Sequence, residues 1–397
     1  MNSGRRDVIV VGAGPAGSTA ARRLALAGWD VLLLEKYGLD RRKACAGGIS
    51  PRAVRALDFS IDAVVEHTVG AYTFSYCGRS LHRAAPMNLN IRMVRRSRFD
   101  RLLAQKAAEA GAEVRPRCPV EAVREEESGV AVLSRGRWHV GAALVGADGA
   151  TGVVARSLGL ARNVRLGAAV EGEVRVPPEQ LREAKSSILF DMGTLPRGYR
   201  WIFPKGDHLN VGSCTTQQKV KGVKAACLAL LEENPLLTGY SDLSMTGAPL
   251  PYLAAPCSFN TRRAAVCGDA AGLVDPLTGE GIQYAIETGN LAAARVDGFL
   301  RRGESLDRYT EQVLQTAFLE LTIAEKFARL LLNHPHVSFK VGVRNRRVNA
   351  LFADLVSGRT TYPEIYREIK HRFSWLFRAA LLLQTARSCL SFQTARF

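Results

Sequence analysis

The hydrophobic pattern at the start of the chain predicts a strand, a tight turn and a helix. An apolar, β-branched run over 7–12 lies between polar residues, which is typical of a buried parallel strand. After a glycine-rich turn, an Ala/Leu/Arg-rich stretch over 18–27 predicts a helix that Gly28 ends. A second apolar run over 30–34 predicts a neighbouring strand, closed by Glu35. This order of elements indicates an α/β unit with a parallel sheet.

Turn signals predict antiparallel strands in the middle of the chain. Apolar runs over 120–123, 130–133 and 138–144 are separated by Ser-Gly and Arg-Gly pairs, which indicates a three-stranded meander. The final third, about 303–397, is helical by composition, and Asn-His-Pro at 333–335 interrupts it. The chain therefore passes from strands and helices into a helical region.

Residues 198–212 predict a hairpin with an aromatic face. Tyr199, Trp201 and Phe203 alternate, so their three rings point to one side of a strand. A Pro-Lys-Gly-Asp turn follows, and the return strand continues an apolar face. This aromatic face fits two roles equally well: packing in an ordinary sheet core, or forming the wall of a ligand-binding site.

Composition narrows the class of protein. The chain has 397 residues, 47% of them hydrophobic, which is enough for two packed units. Eight scattered cysteines without a C-x-x-C pair argue against a disulfide scaffold or a zinc site, so we expect no metal and a reducing, cytoplasmic location. No stretch approaches ~18 uninterrupted apolar residues, so we expect no membrane span. The net charge of +17 favours anionic partners, but no motif indicates nucleic acid.

The glycine-rich turn carries a dinucleotide signature. Gly12 permits the tight turn, Gly14 lets backbone approach a pyrophosphate, and Gly17 lets helix and strand pack closely. Glu35 lies where a carboxylate accepts hydrogen bonds from ribose hydroxyls. A packing turn without a ligand is the alternative. The candidate cofactor contacts here are Gly12, Gly14, Pro15, Ala16, Gly17, Glu35 and Lys36.

Two later stretches favour FAD over NAD. The first ends a strand with Asp148 and Gly149, and the second, over 265–289, reads as a strand, a loop and a helix over 282–288. Asp269 lies where a carboxylate can hold ribitol hydroxyls, and a helix N-terminus would favour the negative charge of a reduced flavin. The candidate cofactor contacts here are Asp148, Gly149, Gly268, Asp269, Pro276, Gly279, Gly281 and Ile282.

Three motifs together resemble the geranylgeranyl reductase family, whose members have the p-hydroxybenzoate hydroxylase-type fold. They are K-x-C-x-G-G-I at 43–49, Y-x-W-x-F-P at 199–204 and G-D-A-A-G-x-x-D-P-x-T-G-E-G-I at 268–282. The chain departs from the family at Ala46 and Cys214, where the family often has glycine. The resemblance implies an α/β (α+β overall) fold: a Rossmann-like FAD-binding domain, an inserted antiparallel-sheet substrate domain and a helical C-terminal region.

The resemblance also implies a domain division and an activity. We expect an FAD-binding domain in 1–75, 91–165 and 260–302, a substrate domain in 76–90 and 166–259, and the helical region in 303–397. Family members saturate isolated double bonds of prenyl chains. The resemblance therefore implies a prenylated lipid, quinone or chlorophyll-type substrate, and NAD(P)H or ferredoxin as the electron donor.

Particular residues acquire roles through the same resemblance. Arg96 opens an Arg-x-x-Phe-Asp motif and would contact the flavin or its pyrophosphate, although a solvated basic turn is the alternative. Cys45 is the candidate catalytic residue, as a proton donor, and the alternative is a small residue that fills a crowded loop. Its neighbours Ala46 and Gly47 would contact the flavin. The expected substrate wall is Tyr199, Trp201, Phe203 and Pro204.

Two other functions stay open at this point. A flavin monooxygenase on the same fold would carry identical cofactor motifs, and a non-catalytic prenyl-binding protein would keep the fold without the chemistry. Residues 371–397 are apolar and basic without acidic residues. A helix there would either lie on the inner face of the membrane as a peripheral contact or pack into the core.

Overall fold

The structure is a computed structural model that describes residues 5–83 and 89–372. These residues form strands β1 (Arg6–Val11), β2 (Val31–Leu34), β3 (Gly48–Ile49), β4 (Val65–Val69), β5 (Tyr72–Tyr76), β6 (Ser80–Arg83), β7 (Ile91–Val94), β8 (Glu113–Arg115), β9 (Val120–Glu125), β10 (Val130–Ser134), β11 (Arg137–Gly146), β12 (Val164–Arg175), β13 (Ile188–Met192), β14 (Gly198–Pro204), β15 (Leu209–Thr215), β16 (Ser241–Leu253) and β17 (Ala264–Val266). The α-helices are α1 (Pro15–Leu26), α2 (Pro51–Arg55), α3 (Arg96–Glu109), α4 (Val154–Ser157), α5 (Pro178–Ala184), α6 (Val223–Glu233), α7 (Ile282–Arg302), α8 (Asp307–Val313), α9 (Leu319–Asn333), α10 (Pro335–Val337), α11 (Arg346–Ser357) and α12 (Tyr362–Arg372).

The first sheet contains the predicted parallel strands and the meander. Its order is β8-β2-β1-β11-β10-β9, and the last part of β11 pairs in parallel with β17. Val8, Ile9 and Val10 are fully buried, because α1 covers one face of β1 and packs in turn on α7 and α3. The helix after the glycine turn begins at Pro15, earlier than predicted, since proline is favourable at a first helical position whose N–H needs no partner.

The second sheet lies beside the first and has the order β16-β12-β15-β14-β13-β5-β6. Its pairs are antiparallel except β13 with β5, which run parallel. Ile202, Leu209 and Val211 point to the face covered by α6. The return strand of the predicted hairpin is therefore apolar on the face opposite the aromatic rings. Because β14 and β15 pair Ile202 with Val211 and Trp201 with Gly212, neighbouring residues alternate between the two faces.

A three-stranded sheet, β3-β7-β4, carries the loop that contains Cys45. Gly48 pairs with Met93 and Ile49 with Arg92, and the N–H of Val94 donates to the carbonyl of Gly47 at 2.9 Å. The loop is thereby fixed between the two larger sheets. Strand β7 runs directly into α3, so Arg96 starts that helix close to the same loop.

Between 303 and 372 the described chain is helical, as predicted, with π-helical turns at Leu314–Phe318 and Ser338–Val343. Helix α9 ends at Asn333 and α10 begins at Pro335, which places the predicted break correctly. In the part of the chain that the structure describes, no helix combines the length and apolar character needed to cross a membrane. The segment expected to touch a membrane, 371–397, lies outside the described residues from 373 onward.

Candidate active site

The glycine turn is shaped by close contact between backbone segments. A Cβ on Gly17 would lie 1.8 Å from the carbonyl oxygen of Gly12, and a Cβ on Gly12 would lie 2.3 Å from that of Ala147. Gly12 also has a φ of +99°, which favours glycine. No side chain caps α1 at Gly14, so its first N–H groups face the space in front of the turn. Such a helix start binds phosphate oxygens.

Glu35 holds this turn. Its buried carboxylate accepts the N–H of Ala13 at 2.8 Å through Oε2 and the N–H of Tyr37 at 3.0 Å through Oε1. The exposed ammonium of Lys36 lies over the ring of Tyr37, 5.1 Å from its centroid. The predicted ribose contact therefore also has a structural role inside the protein, as the group that fixes the turn.

A cavity of about 250 Å³ extends from the glycine turn to the second sheet. Predicted site residues that border it are Gly14, Pro15, Ala16, Cys45, Ala46, Gly47, Arg96, Gly149, Tyr199, Trp201, Phe203, Asp269, Gly279, Gly281 and Ile282. Predicted site residues that do not border it are Gly12, Gly17, Glu35, Lys36, Asp148, Pro204, Gly268 and Pro276. The structure therefore brings together residues from six separate stretches of the sequence.

The residues outside the cavity support its walls. Asp148 accepts the N–H groups of Val153 and Val154 through Oδ2, and so anchors the loop that presents Gly149. Pro204 follows Phe203 on its strand and faces the opposite side of the sheet. Pro276 is buried in a loop that Asp275 ties together by accepting the N–H of Leu277 at 2.7 Å.

The polar end of the cavity carries two ion pairs. Lys43 lies 3.1 Å from Asp269, and although burial opposes ionisation, this ammonium holds the pKa of Asp269 below its ordinary value. Arg96 forms a two-pronged ion pair with Asp100 at 2.8 and 2.9 Å. Burial works to lower the pKa of Arg96, but Asp100 outweighs it and raises the pKa. Arg96 is buried, so it is not part of a solvated turn.

Cys45 lies where this polar end meets the apolar end. Its sulfur accepts the N–H of Gly47 at 3.3 Å, and the side chains of Cys45 and Arg96 interact electrostatically. The thiol is half-buried and borders the cavity. Arg96 is therefore a cationic neighbour of the candidate proton donor. The sequence could not identify it, because Arg96 and Cys45 are far apart in the chain.

The aromatic residues of β14 form one wall of the cavity, and of these Tyr199 and Trp201 are buried and Phe203 is half-buried. The rings of Tyr199 and Phe203 pack on Phe190 with centroid distances of 5.5 and 5.6 Å. The indole N–H of Trp201 donates to Asn210 at 2.8 Å. Tyr199 donates to the carbonyl oxygen of Thr278, which joins the wall to the loop before α7. The rings are therefore held in fixed orientations.

Cys214, one of the two positions where the sequence departs from the family motifs, lies in this wall. Cys214 pairs across the strands with Tyr199, is buried and borders the cavity. Burial raises the pKa of its thiol to about 12, so the group is neutral at physiological pH. Glycine at this position would leave the cavity wider at this point. Gly212 follows a different constraint, since a Cβ on it would lie 2.2 Å from the Trp201 ring.

Among the residues that the sequence analysis missed are three polar ones that hold or face the site, Lys205, Glu280 and Arg41. Lys205 is buried and donates to the carbonyl oxygens of Ala46 and Val94, the latter at 3.0 Å, so it anchors the Cys45 loop. Burial lowers the pKa of Lys205 to about 8. A signal existed, because a lysine directly after an apolar strand lies next to the Y-x-W-x-F-P motif.

The other two are Glu280 and Arg41. Glu280 borders the cavity, accepts the hydroxyl of Ser50 at 2.6 Å, and has its pKa raised by burial to about 7. Arg41 lies 3.2 Å from Asp100 and 3.5 Å from Glu35. Its buried Nη1 has no hydrogen-bond partner among the described residues. An acidic residue inside a glycine-rich motif was a signal for Glu280.

The turn and the cavity fit a flavin dinucleotide. A Cβ on Gly149 would meet nothing within 4 Å, and one on Gly14 would have Arg41 Nη2 as its nearest contact at 3.9 Å. This leaves a backbone-lined space between the helix start and the Cys45 loop. The unpartnered Nη1 of Arg41 supplies a cationic donor near Gly14, where a pyrophosphate would be held.

Known proteins resemble this chain in sequence and structure. The family described as FAD binding domain matches residues 5–319. The geranylgeranyl diphosphate reductase of Rhodobacter capsulatus is 32% identical over 311 residues, which cover 76% of this chain and 77% of that protein. The menaquinone reductase of Mycolicibacterium smegmatis is 33% identical over 323 residues, which cover 74% and 76%. The crystal structure of a geranylgeranyl bacteriochlorophyll reductase-like protein from Thermoplasma acidophilum has a TM-score of 0.67 at 23% identity, covering 94% of this chain and 98% of that one.

These similarities confirm two predictions. The fold class is the expected α/β arrangement, with its antiparallel sheet and C-terminal helices. The cofactor is FAD, for which the glycine turn and the cavity provide the described cradle. The division into domains and the role of each site residue stay predictions.

Proposed function

The chain belongs to the geranylgeranyl reductase family of FAD-dependent oxidoreductases, and we propose that it saturates isolated C=C bonds of a prenyl chain. One observation carries this proposal: the FAD cradle continues without a break into an apolar chamber lined by aromatic rings. The cavity passes from Gly14 and Gly149 to Phe190, Phe203 and Phe352. A long hydrocarbon requires a chamber of this kind, with few polar groups.

The position of Cys45 gives the reaction its acid. Bound FAD, once reduced, supplies a hydride. An alkene that takes the hydride at one carbon needs a proton at the other, and the reacting atoms must come within about 3–3.5 Å. In this proposal the S–H bond of Cys45 breaks and its proton goes to that carbon. The neighbouring Arg96 stabilises the sulfur anion, which solvent reprotonates.

The chain's other residues position the substrate and exclude water. Tyr199 and Trp201 are held by hydrogen bonds to Thr278 and Asn210, so the wall does not need to reorganise when a prenyl chain enters. Lys205 keeps the Cys45 loop against the wall. Burial of the alkene between these groups removes water that would otherwise compete for the proton.

The substrate class follows from the chamber and the relatives. Geranylgeranyl diphosphate and menaquinone, in the names of the two relatives, both carry isoprenoid chains. We therefore propose a prenylated lipid, quinone or chlorophyll-type substrate, with NAD(P)H or ferredoxin as electron donor. Such a substrate resides in membranes, so the proposal includes peripheral contact of the protein with a membrane surface.

An anaerobic turnover tests the proposal. The flavin of the purified protein is reduced with dithionite, and the protein is incubated with geranylgeranyl diphosphate or a menaquinone. The mass of the product is then determined by mass spectrometry. We expect a gain of two hydrogens per reduced bond. Oxygen atoms added only after air is admitted would indicate a monooxygenase instead. An unchanged prenyl chain under both conditions would indicate a binding protein without this chemistry.

A further inference from the structure

The segment from α10 to the first turn of α11, residues 335–348, leaves apolar side chains in solvent. Val337, Val341 and Val348 have exposed fractions of 57%, 68% and 41%. Single exposed apolar residues are common, but Val337 and Val341 lie four positions apart on one side of the helical run from Pro335 to Val343, and Val348 adds a third exposed apolar side chain in the first turn of α11. Buried neighbours such as Phe339 and Val343 already satisfy the core on the inner side. The exposed valines are therefore not needed for packing within the described chain.

The charged side chains of the segment itself have one sign. Residues 334–353 contain no aspartate or glutamate. The exposed basic side chains among them are Lys340, Arg344, Arg346 and Arg347. The nearest carboxylate in an ion pair with the segment is Glu368, 3.6 Å from Arg347. Apolar side chains interspersed with cations match the boundary of a bilayer that contains anionic lipid, because the valines enter the acyl region while the cations meet phosphates.

Helix α11, in which this segment ends, forms part of the cavity wall. Phe352 and Val356 of α11 border the cavity, and Phe352 packs on Tyr72 with a centroid distance of 5.0 Å. Phe339 packs in the same apolar cluster as Tyr199 and Trp201. Contact between the outer side and a bilayer would therefore bring the apolar end of the cavity next to lipid.

We propose that Val337, Lys340, Val341, Arg344, Arg346 and Val348 form a docking face for an anionic lipid bilayer. This face differs from the C-terminal segment that composition alone indicates for membrane contact. The inference that a lipid substrate enters from the bilayer rests on the proposed function. Binding of the face to lipid does not depend on it.

Vesicle sedimentation tests the docking face with the full, FAD-loaded chain. Vesicles of phosphatidylcholine with phosphatidylglycerol are compared with vesicles of phosphatidylcholine alone. We expect the protein to bind the anionic vesicles, and Val337→Asp/Val341→Asp to lower that binding by about tenfold or more. Leu26→Asp, at a position exposed to 54% on α1, is the matched control and should bind like the unmodified protein.

A second variant keeps the test independent of folding. Lys340→Glu/Arg344→Glu should lose anionic binding in the same way while both variants retain bound FAD and their circular dichroism. The docking face would be overturned if both variants bound the anionic vesicles as well as the unmodified protein does. It would also be overturned if the unmodified protein bound both kinds of vesicle equally, or bound neither kind. Reduction of geranylgeranyl diphosphate added without vesicles should be the same in all of them. Failure of that reaction in the unmodified protein would overturn the proposed function and leave the docking result intact.

Discussion

The side chain of Cys45 and the guanidinium of Arg96 interact electrostatically at the junction between the flavin cradle and the apolar chamber, which both residues border. Asp100 holds the guanidinium from the other side with two hydrogen bonds. The thiol therefore has a fixed cationic neighbour in a half-buried position. This relationship supports a chemical role for the cysteine over a role as filler, and it leads to the first prediction.

Replacement of Cys45 tests its role as the acid. Cys45→Ala should retain FAD, because the cradle is built mainly from backbone, and should reduce the prenyl substrate about 10²-fold more slowly, as expected for loss of a general acid. Single-turnover kinetics of anaerobic substrate reduction measure this. Cys257→Ala, a half-buried thiol outside the cavity, is the control and should react normally. Unchanged turnover in Cys45→Ala would reduce the cysteine to a space-filling residue.

Lys205 should determine the position of the Cys45 loop. Lys205→Met leaves the carbonyl oxygens of Ala46 and Val94 without this donor, which costs about 1–3 kcal/mol for a buried unsatisfied group. We expect a lower free energy of unfolding, weaker FAD binding and slower turnover, measured by urea titration, flavin fluorescence and product formation.

The matched control for this change is Lys224→Met, which removes an exposed ammonium from α6. It should change none of the three measurements. If Lys205→Met lowered only the free energy of unfolding and left FAD affinity and turnover intact, the lysine would be a stabilising residue without influence on the site.

Glu280 should give the stability of the protein without bound FAD a pH dependence. Burial raises the pKa of Glu280 to about 7, above the ordinary 4.5, with Asp275 adding to the effect and Ser50 and Arg52 opposing it. At a pH between these two pKa values, Glu280 of the folded protein holds a proton that the same group has lost in the unfolded chain. The stabilisation is therefore complete below pH 4.5 and is lost as the pH rises through 7.

Thermal unfolding between pH 5 and 8 measures this effect. The unmodified protein should lose more stability over that range than Glu280→Gln, whose amide does not titrate. Glu311→Gln, at an exposed position of α8, should behave like the unmodified protein. Parallel curves for all three proteins would show that Glu280 does not titrate in this range.

Cys214 should influence which prenyl chains fit. Cys214→Ala removes a sulfur from the cavity wall, so kcat/KM for a bulkier or longer prenyl chain should rise relative to a shorter one, by up to about tenfold. Cys227→Ala is the matched control. Burial raises the pKa of both thiols to about 12, but Cys227 packs in the apolar cluster on the other face of the sheet, away from the cavity. Cys227→Ala should lower stability without changing the ratio. Equal ratios in both variants would contradict a role for Cys214 in selectivity.

The local parts of the fold could be predicted from sequence. The strand before Gly12, the helix after it and the alternation of Tyr199, Trp201 and Phe203 depend on neighbours within a few residues, where periodicity and glycine geometry are decisive. The break before Pro335 has the same origin. These elements appear in the structure with boundaries shifted by one to a few residues.

The long-range contacts of the site could not be predicted in this way. Strand β5 pairs in parallel with β13, although more than a hundred residues separate them. Lys205 reaches Ala46 across 159 positions, and Ser50 reaches Glu280 across 230. No periodic pattern encodes such pairings, because they arise only when separate sheets pack together. For the same reason, the sequence could not predict which face of the sheet Leu209 and Val211 occupy. The register between β14 and β15 determines that face.

The most direct test of the proposed reaction follows the flavin itself. The FAD of the purified protein is reduced without oxygen, the prenyl substrate is added, and the oxidised-flavin absorbance is recorded with the product mass. The account predicts that the absorbance returns at a rate that depends on substrate concentration, with two hydrogens gained per flavin reoxidised. Flavin that stays reduced until oxygen enters, with an unsaturated prenyl chain recovered, would contradict it.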